Sequence, residues 1–185
     1  HDTVIDTSIG HRFEIISRAD KTTATVTSQV PVQGFRFDPN GRDGIPAFYT
    51  QRVSAKGFPI VASSKVDPHA LQEAAFLVDM MLAKRPDVRA AMIQSGARLS
   101  ILAWNEFTCD QPEWKWLAAT PVPDFPAVPA RDYRDARARG MGGSLTDPFC
   151  SCAEENLLAY DGDPYSKENI LIHEFAHNMH LRGLS

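Results

Sequence analysis

The chain has 185 residues, a formal net charge of −4, 43% hydrophobic and 23% charged residues, which is the profile of one globular domain with a sizeable core. The charge balance gives no sign of the clustered Lys and Arg of a nucleic-acid footprint, and no apolar run reaches the length of a membrane span. The densest basic run, RDYRDARARG at 131–140, interleaves its arginines with Asp132 and Asp135 and reads as a solvated face.

Taken in chain order, FEIISR (13–18) and TATVTS (23–28) are β-branched runs around a polar ADKT turn and predict a hairpin. Residues 31–50, with Pro31, Gly34, Pro39, Gly41, Gly44 and Pro46, predict irregular loop. FPIVAS (58–63) is suited to a buried strand. Asp67 then offers an N-cap and Pro68 a first helical position. Leu71, Ala74, Leu77, Val78, Met81 and Leu82 recur at helical spacing until Pro86 stops the run, so a helix is expected over 67–85. PDVRAAMIQSG predicts a shorter helix closed by Gly96. RLSILAW (98–104) is the strongest strand signal in the chain.

Residues 105–150, including TPVPDFPAVP, predict a long surface excursion. NLLAY (156–160) reads as a short strand and DGDP (161–164) as a turn. Ser166 is the expected cap of a final helix starting near Lys167. Trp104, Trp114 and Trp116 are expected in core or loop-anchor roles.

The N-terminal residue is His1, and residues 1–10 carry no signal-peptide pattern. The expectation is a processed chain, secreted or periplasmic, with an export signal removed. Cys109 could pair with Cys150 or Cys152, or all three could be free thiols; Cys150 and Cys152 are too close to pair with each other. An N-terminal histidine can chelate copper through its amine and ring, so His1 with His11 or His69 is a subordinate metal candidate.

The chemistry concentrates in ILIHEFAHNMH (170–180). His173, Glu174 and His177 follow the spacing H-E-x-x-H. Residues four apart share one face of an α-helix, so two imidazoles there can converge on one Zn²⁺. Glu174 points to the flank of that face, from which its carboxylate can take a proton from a water on the metal and pass it to a leaving amine. Leu171, Ile172, Phe175, Ala176 and Met179 form an apolar arc for packing. Asn169, His173, Glu174, His177 and His180 form the opposite arc. His180 lies two turns beyond His173, about 10 Å along the axis, so a rigid helix cannot bring it to the same ion, and a cleft-lining role is expected. In the metzincin pattern a third histidine falls ten residues after the first, where this chain has Gly183. Glu154, Glu155, Asp161 and Asp163 lie shortly upstream and are expected in turn and surface roles. Tyr160 and Tyr165 could donate to an oxyanion, packing or turn roles being the other reading. No third ligand is evident, and an incomplete piece of a longer protein is expected on that ground.

DGDPYSKENILIHEFAHNMH, with the upstream EENLLAY, resembles a group of secreted bacterial zinc metallopeptidases of the zincin, gluzincin-like type. A looser likeness extends through ARLSILAWNEFT, LQEAAFLVDMMLAKRPDVRAAM and GFPIVASSKV. The resemblance implies zinc held by His173 and His177, Glu174 as catalytic acid/base, and a third ligand, a Glu, in a C-terminal helical part that these residues do not include.

The expectations are therefore an α+β, zincin-like single domain over 1–185. A small mixed, twisted sheet would be backed by the helix at 67–85, with the His-bearing helix beneath it. The function would be zinc-dependent hydrolysis of peptide bonds in a peptide or protein substrate. The alternative is a non-catalytic or truncated zincin-like metal-binding or interaction module. An edge strand, LSILAW or NLLAY, would border the cleft and align an extended peptide.

Overall fold

The structure is a computed structural model that describes the strands Thr3–Asp6, Arg12–Ser17 and Thr23–Thr27 and residues 44–184. The chain divides into two compact units, His1–Val32 and Gln33–Ser185. In the first, β1 (Thr3–Asp6), β2 (Arg12–Ser17) and β3 (Thr23–Thr27) form an antiparallel sheet in that order. β2 and β3 are the expected hairpin, with Phe13 opposite Val26 and Ile15 opposite Ala24.

The second unit is mixed α+β. Its sheet has the order β4 (Gln51–Ala55), β5 (Phe58–Ala62), β6 (Arg98–Leu102), β7 (Phe149–Ala153). β4 and β5 are an antiparallel hairpin turned by Lys56 and Gly57, both at positive φ. β5, β6 and β7 run parallel, so their connections must cross over. The first crossover carries α1 (Pro68–Met81) and α2 (Pro86–Gln94). Asp67 caps α1 as expected, its side chain accepting from the His69 amide at 2.9 Å. The second crossover spans 103–148 and holds 3-10 turns at Thr108–Asp110 and Lys115–Ala119 and helix α3 (Ala130–Arg137). β7 runs directly into α4 (Glu154–Leu157), and α5 (Ile170–Gly183) follows.

Strand alternation decides which face meets the helices. Phe58, Ile60 and Ala62 of β5, Leu99 and Ile101 of β6 and Cys150 and Cys152 of β7 share one core with Ala70, Leu71, Ala74 and Val78 of α1, Val88 and Met92 of α2, and Ile170, Leu171 and Phe175 of α5. Phe58 and Phe175 meet edge to face, centroids 5.2 Å apart. The opposite face of the sheet is covered by the second crossover. There Cys109, Trp114 and Leu117 form a small cluster against Met141 and Phe149. Part of the excursion packs on the sheet, with Glu106, Thr108, Cys109, Gln111, Trp114 and Leu117 buried, while its proline-rich stretch 121–129 is exposed as expected, Val122 apart.

Several expectations are corrected here. NLLAY is not a strand. Asn156 and Leu157 finish α4, and the chain turns through Ala159 at φ 53°. Glu154 and Glu155 are buried, not superficial. Glu154 accepts from the amides of Asp67 at 2.6 Å and Trp104 at 2.8 Å, so it pins the start of α1 and the end of β6 to α4. Of the three tryptophans only Trp114 is buried; Trp104 and Trp116 are 65% and 62% exposed. The three cysteines are free and buried, with Cys109 on one side of the sheet and Cys150 and Cys152 on the other. Burial pushes the Cys109 thiol up to about 11 and raises Cys150 and Cys152 further, so none is a reactive thiolate. Among the described residues no helix is long and apolar enough to cross a membrane.

Candidate metal centre

α5 begins at Ile170, not near Lys167. Its cap is Asn169, whose side chain accepts from the Ile172 amide at 3.0 Å; Ser166 belongs to the preceding turn. Asn156 explains the shift. Its Oδ1 accepts from the Ile170 amide at 2.8 Å, while its Nδ2 donates to Asp163 Oδ2 at 2.8 Å and to the carbonyls of Tyr165 at 3.1 Å and Glu168 at 3.0 Å. One side chain of α4 thus holds the 163–168 turn and the first helical amide together. Asp163, buried by this arrangement, is a turn ligand of Asn156 and of the Tyr165 amide.

Seating on β7 fixes which face of α5 looks outward. Ile170, Leu171, Phe175 and Asn178 are buried, whereas His173, His177 and His180 are exposed and Glu174 is half-buried. The expected apolar arc is therefore rotated. Ile172 is 43% exposed and Ala176 is also exposed, and the inward arc includes the polar Asn178. Asn178 donates to the Pro148 carbonyl at 3.0 Å and to the Gly142 carbonyl at 3.4 Å, so it ties the 142–148 loop to the helix.

His173, Glu174 and His177 bring their ligand atoms within 4.8 Å of one another, a group that could hold a metal ion. The two Nε2 atoms are 3.3 Å apart. Two zinc–nitrogen bonds of about 2.0–2.1 Å meeting at a tetrahedral angle span about 3.3–3.4 Å, so the rings already stand at the required separation. With neutral rings and no cation, one Nε2–H can donate to the other. His180 lies outside this group. His173 Nδ1, on the far side of its ring, is 3.7 Å from Glu168 Oε2. His69 holds its ring against Asp67 at 2.8 Å; His1 and His11, the other members of the copper alternative, lie outside the described residues.

Glu174 faces a cavity of about 450 Å³ whose walls include Arg139, Gly140, Gly142, Tyr165, Glu168 and His173. Burial lifts the Glu174 carboxyl above the ordinary glutamate range; His173 and His177 pull it back and Glu168 adds to the rise. A carboxylate made easier to protonate, half-sheltered beside two imidazoles, suits accepting and returning a proton. Tyr165 also lines the cavity, but its hydroxyl donates to the Arg137 carbonyl at 3.3 Å; Tyr160 does not line it.

Gly140, Met141 and Gly142 also wall the cavity, a contribution that a reading of motifs alone overlooks. Met141 forms an antiparallel bridge with Ser151 of β7, donating to its carbonyl at 3.2 Å and accepting from its amide at 2.8 Å. The segment is thus a fragment of sheet edge lying over α5. A Cβ at Gly142 would stand 2.7 Å from His177 Cβ and 2.8 Å from Glu174 Oε2, and one at Gly140 would stand 2.4 Å from Ile170 Cγ2. Only glycine lets the backbone come this close to the helix. LSILAW lies between β5 and β7 and NLLAY is helix and turn, so neither borders the cleft as expected. Arg139 anchors the segment from behind. It pairs with Glu155 at 2.6 Å and donates to the carbonyls of Ala103 and Glu106. That tie takes it out of the solvated arginine run, whose helical part, α3, buries no residue.

No family model matches the sequence, and neither a curated protein nor a solved structure matches it.

Proposed function

We propose that this chain is a zinc-dependent hydrolase of peptide bonds with a zincin-like arrangement, in which His173 and His177 hold the metal and Glu174 is the acid/base. The observation that carries the reading is the 3.3 Å separation of the two Nε2 atoms beside a half-buried carboxylate that opens on a cavity. Zinc bound there would supply an electrophile for the scissile carbonyl and acidify a water. The chain's own groups account for the remainder. The buried arc of α5 keeps His173 and His177 on one line. Glu174, in the ionised form, accepts the proton of the attacking water at its carboxylate and returns it to the departing amine. Gly140, Met141 and Gly142 line the cavity, and an extended peptide could be laid alongside this segment. Tyr165 walls the cavity on the side of the Arg137 carbonyl.

The test is a broad fluorogenic peptide library incubated with the zinc-loaded chain and with Glu174→Gln. The reading expects cleavage by the first, and loss of it with zinc still bound in the second. Cleavage by the variant at the parent rate would refute the role of Glu174. Zinc binding without cleavage of any peptide would favour a non-catalytic metal-binding module.

A further inference from the structure

Zinc held through Nε2 obliges the proton of each neutral imidazole onto Nδ1, and that N–H then needs an acceptor. For His173 one carboxylate stands on the correct side of the ring. Glu168 Oε2 is 3.7 Å from Nδ1, whereas the facing Nε2 pair lies across the ring from it. The placement follows from the chain. Glu168 is the penultimate residue before α5, its carbonyl held by Asn156 at 3.0 Å and its amide donated to the Tyr165 carbonyl at 3.0 Å. Its backbone is thus fixed to α4. The two side chains are 53% and 51% exposed, so shortening 3.7 Å to a hydrogen bond asks only for side-chain rotation.

We infer that Glu168 is a positioning residue for the metal centre: it accepts from His173 Nδ1–H, fixes the ring's tautomer and direction, and leaves Nε2 free for the cation. This rests on the metal-binding half of the proposed function and not on peptide hydrolysis. It also gives Glu168 a role distinct from that of a third ligand, since a carboxylate engaged at Nδ1 is not free to bind an ion held at Nε2.

The experiment measures Zn²⁺ affinity of the full chain by competition with a chelating dye, and the visible spectrum of its Co²⁺ form. The proteins are the parent, Glu168→Ala, Glu168→Gln and Asp161→Asn. Asp161→Asn removes the same charge from the exposed neighbouring turn. Glu168→Ala is expected to weaken zinc by about 10–100-fold at unchanged stoichiometry and to shift the cobalt bands. Glu168→Gln, whose amide oxygen still accepts, should recover part of the loss, and Asp161→Asn should bind as the parent does. Parent-like affinity in Glu168→Ala overturns the inference. So does complete loss of binding equal to that of His173→Ala, which would make Glu168 a ligand. A chain that binds zinc in this pattern yet cleaves no peptide ends the peptidase reading and leaves the inference standing; a parent that binds no zinc ends both.

Discussion

Two clusters of ionisable side chains lie on opposite faces of the four-stranded sheet, and they are built to opposite ends. On the face covered by the second crossover, Arg98 donates to Glu113 at 2.5 Å, Tyr49 donates to the other Glu113 oxygen, and the Arg98 guanidinium stacks 3.8 Å over Phe149. The Arg98 and Glu113 side chains are 10% and 3% exposed. Burial first, and the Glu113 carboxylate second, push the Tyr49 phenol well above its ordinary range. On α5, His173 and His177 are exposed and Glu174 is half-buried; the two Nε2 atoms face each other at 3.3 Å. The first cluster closes on itself and locks the fold. The second lies open to solvent and is a group that could hold a metal ion.

Exchanging the damage between the clusters sharpens that contrast, and gives the largest effects. His177→Ala should abolish zinc binding while leaving the urea midpoint of the metal-free chain unchanged, because the ring is exposed. Glu113→Ala should do the reverse. It leaves a buried guanidinium without its partner and should cost about 3–5 kcal/mol in urea titrations, with zinc still bound by the folded fraction.

Gly142→Ala comes next. The added methyl meets His177 Cβ and Glu174 Oε2 below 3 Å, so the acid and one imidazole must move. Turnover of a library peptide should fall by roughly 10²-fold, the cost of a displacement near 1 Å, and parent-like turnover would show that the 140–143 edge does not set the site's geometry.

How much of this was open to a reader of the sequence depends on what each residue answers to. α1, α2, β5 and β6 were legible because apolar spacing, a capping Asp67 and Pro68 and Pro86 act locally. The H-E-x-x-H spacing was legible because helical geometry alone places its two rings. β4 was not, since QRVSA is polar and half-exposed on one edge of the sheet. β7 was missed because FCSCA has little β-branching, and its strand character comes from pairing with β6. Asn169 displaced Ser166 as the cap through the grip of Asn156, thirteen residues earlier in the chain than Asn169, a tertiary effect that no local signal reports. Gly142 and Glu168 carried no motif. A GMGG stretch in a proline-rich region was the available hint, but its meaning needs the helix beneath it.

Two smaller effects probe the frame around the site. Asp67→Ala removes the cap of α1 and should lower stability by about 1 kcal/mol at pH 7. Hydrogen bonds from the His69 amide and ring hold the Asp67 carboxyl below its ordinary range. Its contribution is therefore present above the ordinary aspartate range and lost as pH falls through the depressed value, so the variant's deficit should vanish in acid. Glu174→Gln should have the smallest effect and the opposite sign. A carboxyl raised on folding contributes stability that is full below the ordinary glutamate range and lost as pH rises through its raised value. The metal-free variant should therefore melt slightly higher than the parent at neutral pH, and the gap should close on acidification. A gap that widens in acid would contradict the assignment.

The central claim is that His173 and His177 together hold one cation. Metal content by plasma emission, on the full chain dialysed against limiting Zn²⁺, tests it most directly with His173→Ala and His177→Ala alongside. The account predicts one zinc per parent chain and none retained by either variant. Zinc-free parent protein, or variants that keep the metal, would contradict it.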